Sequence, residues 1–211
     1  MYDNPILPFV RYNAQEFSIR TKVTDIYNRI SLTLKALRKE RGWSLDKAAS
    51  ETGVSKAMLG QIEREESSPT IATLWKIASG FNTPFSTLIA DIDPAVEKPQ
   101  HSTGKPEAIH PQENKIKLFS LFPYDEVLHL EIFLIELMPG CEHYSSPHKS
   151  GVIEHVLVAS GSLEILLDGS WKRLQKGEGL RFQANQPHGY RNNSHEVAVI
   201  HDIIHYVGDK H

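Results

Sequence analysis

The sequence predicts two domains, an all-α one followed by an all-β one, and three observations carry that prediction. Hydrophobic periodicity switches, near the middle of the 211 residues, from helical spacings of three and four to alternation and short apolar runs. Between the two patterns, residues 91–114 contain prolines 94, 99, 106 and 111 and read as an extended linker, because proline removes a backbone donor and disfavours helix in the preceding residue. The chemistry divides at the same place. Residues 1–90 carry 12 Lys+Arg against 9 Asp+Glu, residues 91–211 carry 11 against 17, and all 11 histidines fall in the second part.

Residues 1–23, with Pro5, Pro8 and scattered aromatics, show no period and read as an N-terminal arm. In the helical domain, 24–90, Thr24 or Asp25 can cap a helix whose Ile26, Ile30, Leu34 and Leu37 share a face and which ends near Gly42. Ser44 caps a second helix with Leu45, Ala48 and Ala49 inward, and Gly53 stops it. Ser55 caps a third with Leu59 and Ile62 inward. Pro69-Thr70 opens a fourth over Leu74, Ile77 and Ala78, and Pro84-Phe85 opens a fifth at Leu88. In the second domain, 115–208, strands are expected at 116–119, 129–135, 152–158, 163–167, 180–182 and 197–207. Turn signals such as Pro139-Gly140, Ser160-Gly161 and Asp168-Gly169 separate them, as in an antiparallel sandwich or barrel.

The composition, 40% hydrophobic and 23% charged, excludes a disordered chain. No apolar run approaches the roughly 20 residues that a membrane-spanning helix needs, and Met1-Tyr2-Asp3-Asn4-Pro5 lacks the charged-then-apolar form of a secretory signal, so a cytoplasmic protein without membrane contact is expected. A single cysteine, Cys141, excludes an internal disulfide and a cysteine-based zinc site.

Around Thr52-Gly53-Val54-Ser55 two short helices meet at a corner where glycine takes the left-handed turn and serine caps the next helix. This is a helix-turn-helix arrangement, whose second helix enters the major groove of double-stranded DNA. Its outward face is expected to carry Lys56, Ala57, Gly60, Gln61 and Arg64. The strings Gly53-Val54-Ser55, Gln61-Ile62-Glu63-Arg64, Ser68-Pro69-Thr70 and Leu74-Trp75-Lys76-Ile77-Ala78 resemble the Cro/CI-like (XRE) regulators, which have a five-helix lambda-repressor-like domain. That resemblance implies that Ser55, Lys56, Ala57 and Gln61 lie at or near base edges, while Ser44 and Arg64 meet phosphate. Leu45 departs from the family, which often has glutamine there. Gly60 inside the helix costs about 1 kcal/mol relative to alanine and reads as room for close backbone approach. In the first helix, Arg29, Lys35, Arg38, Lys39 and Arg41 are read either as a solvated face or as phosphate contacts. A domain net of +3 gives modest nonspecific affinity, so a homodimer on a two-fold site is expected.

In the second domain, Gly140 to Gly161 and Gly177 to Asn192 resemble the two motifs of the cupin family, a double-stranded β-helix barrel with three histidines and a glutamate aimed at one metal. By that resemblance His148, Glu154 and His188 are metal ligands, and Ser146 stands where the first histidine belongs. Five residues separate His148 from Glu154, so the Lys149-Ser150-Gly151 turn must fold for them to meet.

Two histidines and a carboxylate with open positions suit mononuclear non-haem iron, and Fe, Zn, Mn and Ni are the candidate divalent metals. A metal-free pocket is the alternative, with His148, Glu154, Arg181, His188 and Tyr190 holding a small polar effector. His143 is read as a surface loop histidine, the alternative being that it substitutes for the ligand missing at Ser146. His195, His201 and His205 share one parity of the last strand, lining the barrel or sitting at its rim, and His155 faces away from the pocket.

Together these readings predict a transcriptional regulator with an effector-sensing cupin and no catalytic residues, the alternative being an iron-dependent cupin oxidoreductase with an appended helical domain. Val54 to Arg64, Ser120 to Asp125 and Gly151 to Val156 also resemble the enteric sulfur-utilisation regulators, which implies a role in sulfur metabolism.

Overall fold

A computed structural model describes residues 18–89 and 115–207, with side chains from Ile26 onward. The expected linker and most of the expected arm lie outside the described residues. The helical domain consists of α1 (Ser18–Glu40), α2 (Leu45–Thr52), α3 (Lys56–Glu63) and α4 (Ile71–Phe81), closed by a 3-10 turn, Phe85–Leu88. Two expectations are corrected. Helix α1 starts at Ser18, before the cap read at Thr24 or Asp25, and the fifth helix is one 3-10 turn rather than an α-helix. Pro84 starts that turn in extended backbone, and Ile89 donates back to Ser86, a bond three residues long that tightens the segment instead of propagating it.

The caps follow the sequence. Ser44 Oγ accepts from Lys47 N–H, Ser55 Oγ from Met58 N–H and Thr70 Oγ1 from Thr73 N–H, each satisfying a donor that a helix start leaves free. Gly53 takes the left-handed conformation that ends α2. Ile30, Leu34, Leu59, Ile62, Leu74, Ile77 and Phe81 fill the core of this domain.

The second domain has nine antiparallel strands: β1 (Ile116–Asp125), β2 (Leu130–Leu137), β3 (Cys141–Ser145), β4 (Val152–Ser160), β5 (Ser162–Leu167), β6 (Ser170–Gln175), β7 (Gly179–Gln183), β8 (His188–Asn192) and β9 (Ala198–Tyr206). They form two sheets, ordered β1-β2-β9-β4-β7 and β3-β8-β5-β6. Alternation sets the faces: Val152, Glu154, Val156 and Val158 of β4 point inward, as do Ala198, Ile200, Asp202 and Ile204 of β9.

The two domains pack directly on each other. Glu131, fully buried on β2, accepts from the main-chain N–H groups of Phe85 (3.1 Å) and Ser86 (2.8 Å) and from the Tyr206 hydroxyl. Ser86 Oγ in turn accepts from Tyr124 N–H at 2.8 Å. Beside this contact Phe85 meets Phe133 edge-on, with centroids 5.6 Å apart, and stacks on Trp75 of α4 at 4.3 Å.

Candidate functional site

Two sites are built by these elements, one on each domain. On the helical domain, Ser55, Lys56, Ala57 and Gln61 are all exposed on α3, with Leu59 and Ile62 fully buried beneath. Lys56 is tethered to Asp46 of α2 at 2.8 Å, and Arg64, also exposed, forms a bidentate pair with Glu66. Exposed pairs of this kind contribute little and exchange readily for phosphate. Gly60 is not on this face: it is buried, and a Cβ there would lie 3.7 Å from Leu45 Cδ1 and 3.1 Å from Arg64 Nη1. The close approach it permits is therefore between α3 and its own neighbours.

Of the five basic residues expected on the first helix, three have structural partners, and Arg41 lies in the turn just beyond α1. Arg38 clamps Glu63 at the end of α3 with two bonds of 2.5 and 2.7 Å and also donates to Trp43 O. Arg29 donates to Ile89 O, and Arg41 lies over the rings of Trp43 and Phe81. Lys35 and Lys39 remain on the exposed face.

Inside the barrel the expected triad converges. Ser150 and Gly151 turn the chain back, so that His148 Nε2 lies 2.9 Å and His188 Nε2 3.4 Å from Glu154 Oε1. The candidate ligand atoms of His148, Glu154 and His188 all lie within 4.8 Å of one another, and all three residues are buried. Burial pushes the Glu154 carboxyl up, but the hydrogen bonds and charge of His148 and His188 outweigh it and hold the group well below the usual carboxylate range. Tyr190, opposite on β8, donates to Glu154 Oε2.

The donor set fits a divalent cation. His188 Nδ1 donates to the Gln186 carbonyl at 2.9 Å, so the neutral ring presents its lone pair at Nε2, the atom available to a metal. That Nε2 is buried, and its nearest acceptor, Glu154 Oε1 at 3.4 Å, lies outside good hydrogen-bond geometry. Either a proton on Nε2 or a metal ion between Nε2 and the carboxylate balances the pair, and the ion satisfies His148, Glu154 and His188 together.

With this geometry established, comparisons place the chain. A helix-turn-helix family model matches residues 34–88 and a cupin-domain model matches residues 133–204. The HTH-type transcriptional regulator SutR of Escherichia coli (strain K12) is 51% identical over 177 residues, covering 84% of this chain and 94% of that protein. The chain belongs to the XRE-type helix-turn-helix regulators that carry a cupin domain. The crystal structure of an HTH_3 family transcriptional regulator from Vibrio cholerae superposes with a TM-score of 0.76 at 47% identity, covering 87% of this chain and 98% of that one. The chain is thus a DNA-binding transcriptional regulator of that family, and no helix among its described residues is long and apolar enough to cross a membrane.

Several residues of this XRE-cupin regulator lie elsewhere than the sequence places them. Arg181 is exposed, opposite His155 on β4, because its neighbour Phe182 takes the inward position of β7. His201 and His205 lie on the outward parity of β9, and His195 is exposed in the preceding turn. Ser146, at the family's first histidine, is exposed beyond the end of β3. His143 is not a loop histidine. It sits on β3 opposite Tyr190 and lines the barrel cavity, where burial and then His188 lower its pKa to about 4.

Three further residues were not singled out from sequence. Asp202 faces the cavity with Oδ1 unpartnered among the described residues, and burial, then Glu154 and Glu131, raise its carboxyl well above the usual range. Trp75 lies over the His148 ring at 4.4 Å, joining the DNA-binding domain to the triad. Glu131 is the third. The cavity itself has a volume of about 20 Å³, room for an ion or a single water rather than an organic molecule.

Proposed function

We propose that this regulator reads an operator with the outer face of α3 and that the state of its cupin domain sets operator affinity. Ser55, Lys56 and Ala57 at the N-terminal end of α3, which approaches base edges in this motif, and Gln61 one turn further along present two donors, a hydroxyl and a small apolar side chain. Ser44 and Arg64 flank that face as phosphate contacts, and a homodimer supplies the second half-site. In the barrel, His148, Glu154 and His188 hold a divalent cation such as iron, zinc, manganese or nickel. When bound, the ion supplies a positive centre with open coordination positions. The role is sensing a small polar metabolite in the cytoplasm rather than turnover, and the strings shared with sulfur-utilisation regulators point to genes of sulfur metabolism.

The single observation that carries the coupling is the Trp75–His148 ring contact, since a residue of the DNA-binding domain rests on a member of the metal triad. A change at His148 is thereby felt in α4. The DNA half of the proposal is tested with Lys56→Ala plus Gln61→Ala. Loss of a base contact costs about 1–3 kcal/mol, so the double variant should lose sequence-specific retention while keeping its circular dichroism and thermal unfolding. Unchanged retention of a selected operator would refute the assigned reading face.

A further inference from the structure

We infer that the effector site is the cleft between the two domains, and that it takes a small organic anion with a planar apolar body. Volume separates it from the barrel. The barrel cavity measures about 20 Å³, whereas the cleft beside it measures about 340 Å³, within the range of small-molecule sites. The inference extends the sensing role proposed above, but its geometry is independent of that role.

Both domains line the cleft. Helix α4 contributes Trp75 and Ser79, and the cupin domain contributes His148, Lys149, His129 and Tyr124. The aromatic faces of Trp75 and Tyr124 suit a planar body. Among the described lining residues none is Asp or Glu, while Lys149 is cationic, so the lining favours negative charge.

His148 supplies the specific demand for an acceptor. Its side chain is 3% exposed, and its Nδ1 is buried without a hydrogen-bond partner among the described residues. With Nε2 on a metal, Nδ1 carries the ring proton and is a donor. Metal-bound histidines nearly always donate that proton to a carboxylate, carbonyl or water. A carboxylate that penetrates from the cleft to this buried Nδ1 provides the acceptor, joins the barrel ion to the ligand through one imidazole, and touches α4 at the same time. Occupancy then fixes the DNA-binding domain against the cupin domain.

Benzoate is the probe, with benzamide as its neutral counterpart, titrated calorimetrically into the full chain after its metal content has been measured. Benzoate should bind at least about 10-fold more tightly than benzamide. Lys149→Met should remove most of that preference. Ser79→Phe fills the cleft from α4, away from the metal triad, and should weaken both ligands at least about 10-fold with metal content unchanged. Equal affinity for the two probes, or benzoate binding unaffected by Ser79→Phe, would overturn the assignment. If the wild type holds no metal but benzoate still responds to both substitutions, the cleft stands and the metal reading falls.

Discussion

Glu154 and Glu131 are both wholly buried carboxylates of the cupin domain, yet their surroundings drive them in opposite directions. Glu154 sits between two histidines and is held well below the ordinary carboxylate range. Burial raises Glu131, and its partners are the Tyr206 and Ser86 hydroxyls and two main-chain N–H groups, which lower it less than burial lifts it. The difference shows that burial alone does not decide the charge of a carboxylate; partners able to carry positive charge do. It also separates two tasks. Glu154 is suited to hold a cation, and Glu131 grips the 3-10 turn through which the DNA-binding domain is docked.

Trp75, which touches both regions through His148 and Phe85, gives the largest effect. Trp75→Ala removes a buried indole and should cost about 3–5 kcal/mol. Thermal unfolding should split into separate transitions for the two domains; a single undiminished transition would mean that the docking rests elsewhere. Next comes Glu154→Gln, which keeps the shape and removes the charge. Affinity for zinc should fall roughly 100-fold or more, because losing a ligand exceeds the 10- to 100-fold loss that follows when only its supporting partner is removed. Docking should persist.

Glu131→Gln sharpens the contrast from the other side. An amide turns one acceptor into a donor facing main-chain N–H groups and should cost about 1–3 kcal/mol in urea unfolding, with zinc affinity unchanged. A drop in zinc affinity would show that the two carboxylates act as one site.

How far the sequence disclosed these regions follows from how local their determinants are. The corner of α2 and α3 was readable because Gly53 and Ser55 act within a few residues of themselves. His148, Glu154 and His188 were readable through the resemblance of the surrounding strings to the cupin motifs, although the spacing of His148 and Glu154 required the intervening turn to fold. Glu131 was not, since all its partners are distant in sequence and two of them are main-chain groups 45 and 46 residues away, which leave no mark in residue identity. On β9 both parities are rich in apolar residues, so the sequence left open which face the histidines take, and the buried Asp202 on the inward face ran against the polar-out pattern. Arg181 and Phe182 pose the same choice on β7, where burying the ring wins over burying an unpaired guanidinium.

His143 gives the smallest effect. Its pKa is lowered to about 4, so between pH 6.5 and 4 the unfolded chain binds more protons than the folded one. In chelator-treated protein, stability should fall as pH drops through that window, by about 1–2 kcal/mol once its partial exposure is discounted. In His143→Phe that part of the slope should vanish. Glu154 and His188 face the same cavity, and their contribution remains in the variant.

The central claim is that the barrel triad and the DNA-reading helix are coupled through Trp75 and His148. Reciprocity makes this measurable from either end: if metal changes operator affinity, operator must change metal affinity by the same factor. Zinc affinity should therefore be titrated with and without a saturating operator duplex selected from a random pool. The account predicts a shift of about 5- to 100-fold, the range of an ordinary coupling energy, that disappears in Trp75→Ala. Zinc affinity unchanged by the duplex in the wild type would contradict it.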